Sequence, residues 1–412
     1  MPETGVSLRA ALDSEIAGRG PIPFARFMEI CLYHPQQGYY TRGLGGGGGR
    51  DYLTSSGLHR AFGTLVARQA EEMWRGCGRP DPFWFVEFGP GEGLFAGDFL
   101  AEAERLGAFA RSLRYVLVEV SPVLAARQRA RLQGRTTLPV EWATEETIES
   151  RRGFTGVLFA NEVIDAFPVH RVVGTPEGPR EIHVAIEGEN LREVLLPLSI
   201  PAVGRFLEET GVALEDGQEV DINLAAPCWL AWAVSCLRRG YVILVDYGHE
   251  ARDLYHPSRR RGTLLAYHRH RTNEDFLERP GEQDLTAHVD FTALKRSAEG
   301  AGARVLGLVT QSRFLIALGA LEFLEAAPIE LPAGGGDPGS TVDRLREREA
   351  LKEIVLPGRM GEKFRVLVLG VGDVGRELAG LAEPWNRPGG AGAAAGTGGR
   401  AGRSTGDGSA ET

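Results

Sequence analysis

"FVEFGPGEG" (85–93) turns an apolar run into alternating glycines within nine residues. Phe, Val and Phe suit a buried strand, and glycines directly behind it let the backbone turn tightly and approach a ligand with no Cβ in the way. Gly89, Gly91 and Gly93 alternate strictly, whereas a dinucleotide turn would place its third glycine at 94, where this chain has Leu94. A ligand with no phosphate to cradle fits better, and S-adenosylmethionine is such a cofactor. Glu87, at the strand end, can accept from its amino group. The next apolar run ends in "LVEVSP" (117–122), which puts Glu119 where a carboxylate can take both ribose hydroxyls. Trp142, near the end of the third run, "PVEWA", could stack on adenine; hydrophobic packing accounts for it equally well.

Outward from this turn, seven β-branched or aromatic runs recur at 83–88, 114–120, 139–143, 156–163, 241–248, 303–309 and 363–370, with helical stretches between them. Apolar strands alternating with amphipathic helices predict a doubly wound, mostly parallel seven-stranded α/β core of Rossmann-like type. The spacing breaks after the fourth run, where a hairpin-like and then helical stretch reads as an insertion. The expected division is an N-terminal lid (1–60), a first part of the core (61–168), an inserted subdomain (169–222), the rest of the core (223–380) and a disordered Gly-rich tail (381–412). "RVLVLGVGDVGREL" (365–378) carries glycines at dinucleotide spacing, but no second strand and no ribose acid follow it, so it is not expected to bind a ligand.

The chain has 412 residues, 43% of them hydrophobic, and a formal charge of -9, which argues against nucleic acid or an anionic membrane as partner. A protein or small molecule is favoured, and a second copy of the chain is a further candidate. Cys31, Cys77, Cys228 and Cys236 lack metal or redox spacing and read as buried free thiols, so no metal is expected. The first residues contain Glu3, Asp13 and Glu15 and no apolar core, which predicts neither a secretory signal nor a transit peptide. Bacterial cytoplasm is the expected location, without membrane insertion.

Several blocks together resemble the MidA-like S-adenosylmethionine-dependent methyltransferases: "YHPQQGYYTR" (33–42), "VEFGPGEG", "VEVSP", "ANEVIDAFPVHR" (160–171), "VDYGHE" (245–250), "GTLLAYHRHR" (262–271), "DLTAHVDF" (284–291) and "MGEKFRVL" (360–367). The mitochondrial members are arginine methyltransferases needed for respiratory complex I assembly. The resemblance implies a class I methyltransferase with a protein arginine substrate, a respiratory-complex subunit or a bacterial equivalent. It departs from the family at the pentaglycine run and Arg50, which puts contacts through Asp51 or Thr54 in question. Methylation of a small molecule, or an assembly factor with little turnover, are the alternatives.

A guanidinium acceptor is planar and protonated, so it needs carboxylates that grip its fork and assist proton loss. Asn161, Glu162 and Asp165 follow the fourth run. Asn161 can orient the acceptor, and Glu162 and Asp165 share a face if the chain turns into a helix there. Helix capping is the competing account of the two acids.

Overall fold

The computed structural model describes residues 7–45, 55–269, 271–325, 338–356 and 358–383. The pentaglycine run beyond Gly45, Arg50, Asp51, Thr54 and the Gly-rich tail from 384 onward lie outside the described residues.

The seven runs form strands β1 (Phe83–Phe88), β2 (Leu113–Val118), β3 (Val140–Ala143), β4 (Phe154–Asn161), β5 (Leu237–His249), β6 (Arg304–Thr310) and β7 (Phe364–Val371). They lie in the order β6-β7-β5-β4-β1-β2-β3, and the short strand Val289–Asp290 pairs parallel with the end of β5, which makes eight strands where seven were expected. Pairing is parallel from β5 through β4, β1 and β2 to β3, and β7 runs antiparallel between β5 and β6. The central sheet is therefore mostly parallel.

The parallel strands bring their carboxyl ends to one edge. Leu117 faces Glu87 and Trp142 on its two sides, and Phe159 also lies opposite Glu87. Behind the glycine turn, helix Leu94–Ala103 starts at Gly93 in a left-handed conformation, φ 74°. Phe95 on its first turn stacks on Phe159 of β4, with centroids 4.4 Å apart and planes 10° from parallel. Phe99 packs on Phe85 of β1 at 4.2 Å. Two large rings buried against two strands clamp the turn to the sheet, each burial contributing about 2–3 kcal/mol.

After β2 the chain reads "SP", a strong helix start, and helix Pro122–Leu132 begins there. Ser121 caps it by accepting from the Leu124 N–H, and Pro122 opens the first turn.

The glycines at 370, 372 and 375 lie at the other edge. Val371 is opposite Gly240, near the start of β5, because β7 is antiparallel. Gly375 packs on Gly76 and its carbonyl accepts from the Tyr241 hydroxyl. Gly375 allows this close packing.

The stretch after β4 forms strands His170–Val173, Arg180–Glu187, Asn190–Leu196 and Glu219–Ile222 with helix Pro201–Thr210 between the last two. Ile22–Pro23, from the N-terminal region, joins this sheet by pairing antiparallel with Arg180–Glu187. Phe24, Phe27, Val169, Val184, Ala266 and Leu285 share one buried cluster, so the N-terminal region, the insertion and the segment after β5 have a common core. Arg171 ties this core together: its guanidinium lies between the Phe24 and Phe276 rings, at 4.9 and 4.8 Å, and pairs with Glu193 and Glu219.

One expectation about cysteine needs correction. Cys31, Cys77 and Cys236 are buried, but Cys228 is exposed, on a helix of which only one side meets the core.

Candidate active site

A cavity of about 1250 Å³ opens over the carboxyl edge of β1, β2 and β4. Its floor contains Glu87, Gly89, Gly91, Glu119, Asn161 and Glu162; residues from the N-terminal helices and the inserted sheet form its outer walls. The sequence-predicted residues thus divide into those that line this cavity and those that do not.

Gly89, Gly91 and Gly93 all have positive φ, at 60°, 53° and 74°. A Cβ on Gly89 would stand 2.7 Å from Cγ2 of Val163, a β-branched side chain with little freedom to yield. The turn is anchored through Glu92, which pairs with Arg127 at 2.9 Å and Arg131 at 3.7 Å on helix Pro122–Leu132. Gly93 serves as helix cap and does not line the cavity.

Glu87 is buried, and its carboxyl accepts from the Tyr115 hydroxyl at 2.6 Å. Burial pushes it up to about 8, against the Tyr115 hydrogen bond. Glu119 is pushed up to about 7, again by burial, although the Ser121 N–H at 2.7 Å and the Gln128 amide at 2.9 Å favour its charged form.

Gln128 had no signal in the sequence beyond its place on the helix after Glu119. It is buried, and its amide donates to the Gly91 carbonyl at 2.8 Å as well as to Glu119, while its oxygen accepts from the Trp142 indole at 3.0 Å. One side chain therefore couples the glycine turn, the ribose acid and Trp142.

Trp142 is a correction to the cofactor set. It does not line the cavity: its N–H is taken by Gln128, and Arg129 covers its ring at 4.8 Å. Val120 is the apolar side chain at that place. It lines the cavity beside Glu119 and is 67% exposed.

Glu162 lines the cavity with φ 55°, a left-handed conformation that non-glycine residues adopt at a cost of about 1–3 kcal/mol. Its N–H donates to the Val245 carbonyl of β5, and its carboxylate accepts from the Asn161 amide at 3.0 Å. Asn161 Oδ1 is buried and has no partner among the described residues, so an acceptor stands ready at the cavity floor.

Asp165 is the second correction. No helix follows β4; the left-handed turn at Glu162 sends Asp165 inward instead of along the same face. Asp165 accepts from the Tyr247 hydroxyl at 2.5 Å, and Asp246 accepts from the Ile164 and Asp165 N–H groups at 3.1 and 3.2 Å. Burial, then the charges of Asp165 and Glu162, raise Asp246; Asp165 is likewise raised by burial. These two acids hold the turn that presents Glu162.

The basic stretch 258–271 offers no free patch at Arg260 or Arg261, which pair with Glu215 and Glu274. His249 and His288 sit together away from the cavity, rings 5.3 Å apart, both lowered first by burial.

The family described as "Putative S-adenosyl-L-methionine-dependent methyltransferase" matches residues 65–309. The chain belongs to this family. A Burkholderia thailandensis protein solved with S-adenosyl-homocysteine bound is 31% identical, with a TM-score of 0.79 over 91% of this chain and 94% of that one. Among curated relatives, protein arginine methyltransferase NDUFAF7 of Rattus norvegicus is 30% identical over 86% of this chain and 82% of its own length. The Homo sapiens protein is 29% identical over 86% and 81%. The chain is thus an S-adenosylmethionine-dependent methyltransferase of α/β fold, and the floor residues fit that cofactor: glycines that permit close backbone approach, Glu119 for a diol, Glu87 for an amine. The relatives also overturn the expected bacterial cytoplasmic location, because both curated proteins are named as mitochondrial. No helix among the described residues is long and apolar enough to cross a membrane.

Two predictions follow from the floor. A carboxylate takes two hydroxyls only when ionised, so cofactor binding must release the proton that burial leaves on Glu119. Through Glu119 the association constant is expected to rise about tenfold per pH unit below 7. Glu119→Gln removes the component below 7; a wild-type constant that is flat from pH 5 to 7 in calorimetry would exclude this linkage. The stability of the ligand-free protein is expected to follow the opposite trend. Both acids have folded-state values above their ordinary ones, so their contribution to stability is complete below the ordinary carboxyl range and is lost as pH rises through 7 and 8. Secondly, Gln128→Leu leaves the Trp142 N–H and one Glu119 oxygen unpaired. Cofactor affinity should fall about tenfold and the protein lose about 1–3 kcal/mol, read by calorimetry and urea unfolding.

Proposed function

We propose that the protein methylates arginine in a protein substrate, with Glu162 gripping the guanidinium and Asn161 orienting it. The observation that carries this reading is the acidic character of the cavity. Glu15, Glu29, Glu92, Glu145 and Glu162 line it, against Arg19 and Arg26; Glu15 and Glu29 pair with those two arginines and Glu92 with Arg127 and Arg131, so Glu145 and Glu162 are the acids that stand outside these ion pairs. A cationic, planar acceptor matches such a surface, and the relatives' name points the same way. The volume of about 1250 Å³ leaves room for a peptide beside the cofactor.

The cofactor supplies an electrophilic methyl group; the chain's residues bind, orient and exclude water. Glu87 and Glu119 hold its amine and ribose, Gly89 and Gly91 admit its backbone contacts, and Val120 offers adenine an apolar face. Asp165 acts through the turn, positioning Glu162. Residues 7–45 of the N-terminal region serve as a lid, with 169–222 as an inserted subdomain that shares its sheet and core. The Ser121 hydroxyl donating to the Thr41 carbonyl, and Arg127 donating to that of Gly43, support a lid that reaches the cofactor.

The test is transfer of labelled methyl from S-adenosylmethionine to proteins of a deletion strain, followed by hydrolysis and amino-acid analysis. Label in methylarginine is expected; label confined to small molecules or to other residues would overturn the arginine reading.

A further inference from the structure

The outer wall of the cavity carries a pair of side chains that cofactor binding does not use. His170 lines the cavity, at the far end of the same segment that begins with Glu162. Its Nδ1 is 2.7 Å from Oε1 of Glu181, which is fully buried. The other oxygen of Glu181 accepts from the Ser199 N–H at 2.6 Å. Burial works against the charge of Glu181, but the His170 and Ser199 hydrogen bonds outweigh it and hold the carboxyl below its ordinary range. Both residues stand on paired strands, in which Val172 faces Glu181, so the contact is a diagonal one within a rigid hairpin.

The Glu181 carboxylate can only accept, so Nδ1 carries a proton, and the neutral form of the ring is the one with its lone pair on Nε2. Among the described residues no hydrogen bond is made to Nε2. Glu181 has no other ionic partner there, and His183, two residues along the strand, makes its contact with the Glu181 carbonyl at 3.2 Å. A buried acid that orients an imidazole lining a reaction cavity is the arrangement of a general base.

We propose that His170 is the base that takes the proton released when the substrate is methylated, with Glu181 as its positioning residue. This rests on the reading of the substrate as a protonated guanidinium. The acceptor nitrogen forms a bond to the methyl carbon, the carbon–sulfur bond of the sulfonium breaks with its pair left on sulfur, and one N–H proton goes to Nε2 and then to water. Charge balances: two cations enter, and one methylated cation, a neutral thioether and a proton leave.

The experiment compares His170→Ala and Glu181→Gln with wild type in methyl transfer to deletion-strain proteins, with cofactor affinity and thermal midpoint measured alongside. His170→Ala should transfer at least about 100-fold more slowly, bind cofactor as wild type does, and recover rate on addition of imidazole. Glu181→Gln should be slowed without imidazole rescue. Independently of turnover, nitrogen-15 spectra of the resting protein should show the Nδ1–H tautomer of His170, lost in Glu181→Gln. Methylarginine formation at the wild-type rate by His170→Ala, or an Nε2–H tautomer in wild type, would overturn the proposal while leaving the arginine reading intact. Label on a residue other than arginine would overturn the arginine reading and, with it, the guanidinium proton assigned to His170.

Discussion

Glu162→Gln is expected to slow methyl transfer by about 10²- to 10³-fold while cofactor affinity stays within about twofold. The substitution keeps the size of the side chain and its ability to accept from Asn161, and removes only the charge. A charge-assisted bond to a guanidinium is worth about 1.5–3 kcal/mol more than none, and truncating one partner of a buried charged pair costs about 2–5 kcal/mol. At 1.36 kcal/mol per tenfold, those figures span the expected loss. Glu162→Gly separates chemistry from architecture: glycine adopts φ 55° freely, so stability should hold or rise by about 1 kcal/mol while activity is lost. A Glu162→Gln enzyme that labels arginine at the wild-type rate would refute the grip.

Gly91→Val should abolish cofactor binding, with affinity down by more than about 100-fold. Gly91 lines the cavity at φ 53°, where a β-branched residue is disfavoured by about 1–2 kcal/mol or more. Its carbonyl is held by Gln128, so the turn cannot relax without giving up the hydrogen bonds that orient Glu119. The added side chain would also occupy the space through which backbone meets ligand. Calorimetric titration of S-adenosylmethionine decides it, with NAD as the control ligand. Tight binding of S-adenosylmethionine to Gly91→Val would remove the glycine turn from the cofactor site.

The turn and its acid were legible because both are local. A strand, a glycine alternation and an acid at the next strand end report backbone geometry, and parallel pairing brings such ends together whatever the rest of the chain does. Glu162 and Asp165 show where that reasoning stops. Their spacing placed them on one face only if a helix followed Asn161, and a single left-handed residue turned them to opposite sides. Trp142 failed for a related reason: the strand end was placed well, but which side its ring takes depended on Gln128, a residue from another element. His170 and Glu181 are 11 residues apart in a stretch that already read as a hairpin. Setting the register of "HRVVGTPEGPREIH" would have found the pair.

The position of β7 bears on how the chain comes to be made. This strand, Phe364–Val371, is the last of the sheet to leave the ribosome, yet it lies inside the sheet and is the partner that joins β6 to β5. Until it arrives, Arg304–Thr310 has no neighbour in the central sheet and β5 presents an open edge. From residue 310 to 371, synthesis at about 5–20 residues per second leaves that gap for about 3–12 s. An unpaired apolar strand beside a free edge invites pairing with another nascent chain. Chaperone occupancy during translation should therefore concentrate on this interval, and a ribosome stalled before residue 364 would hold a chain whose cofactor edge is laid down but whose sheet cannot close.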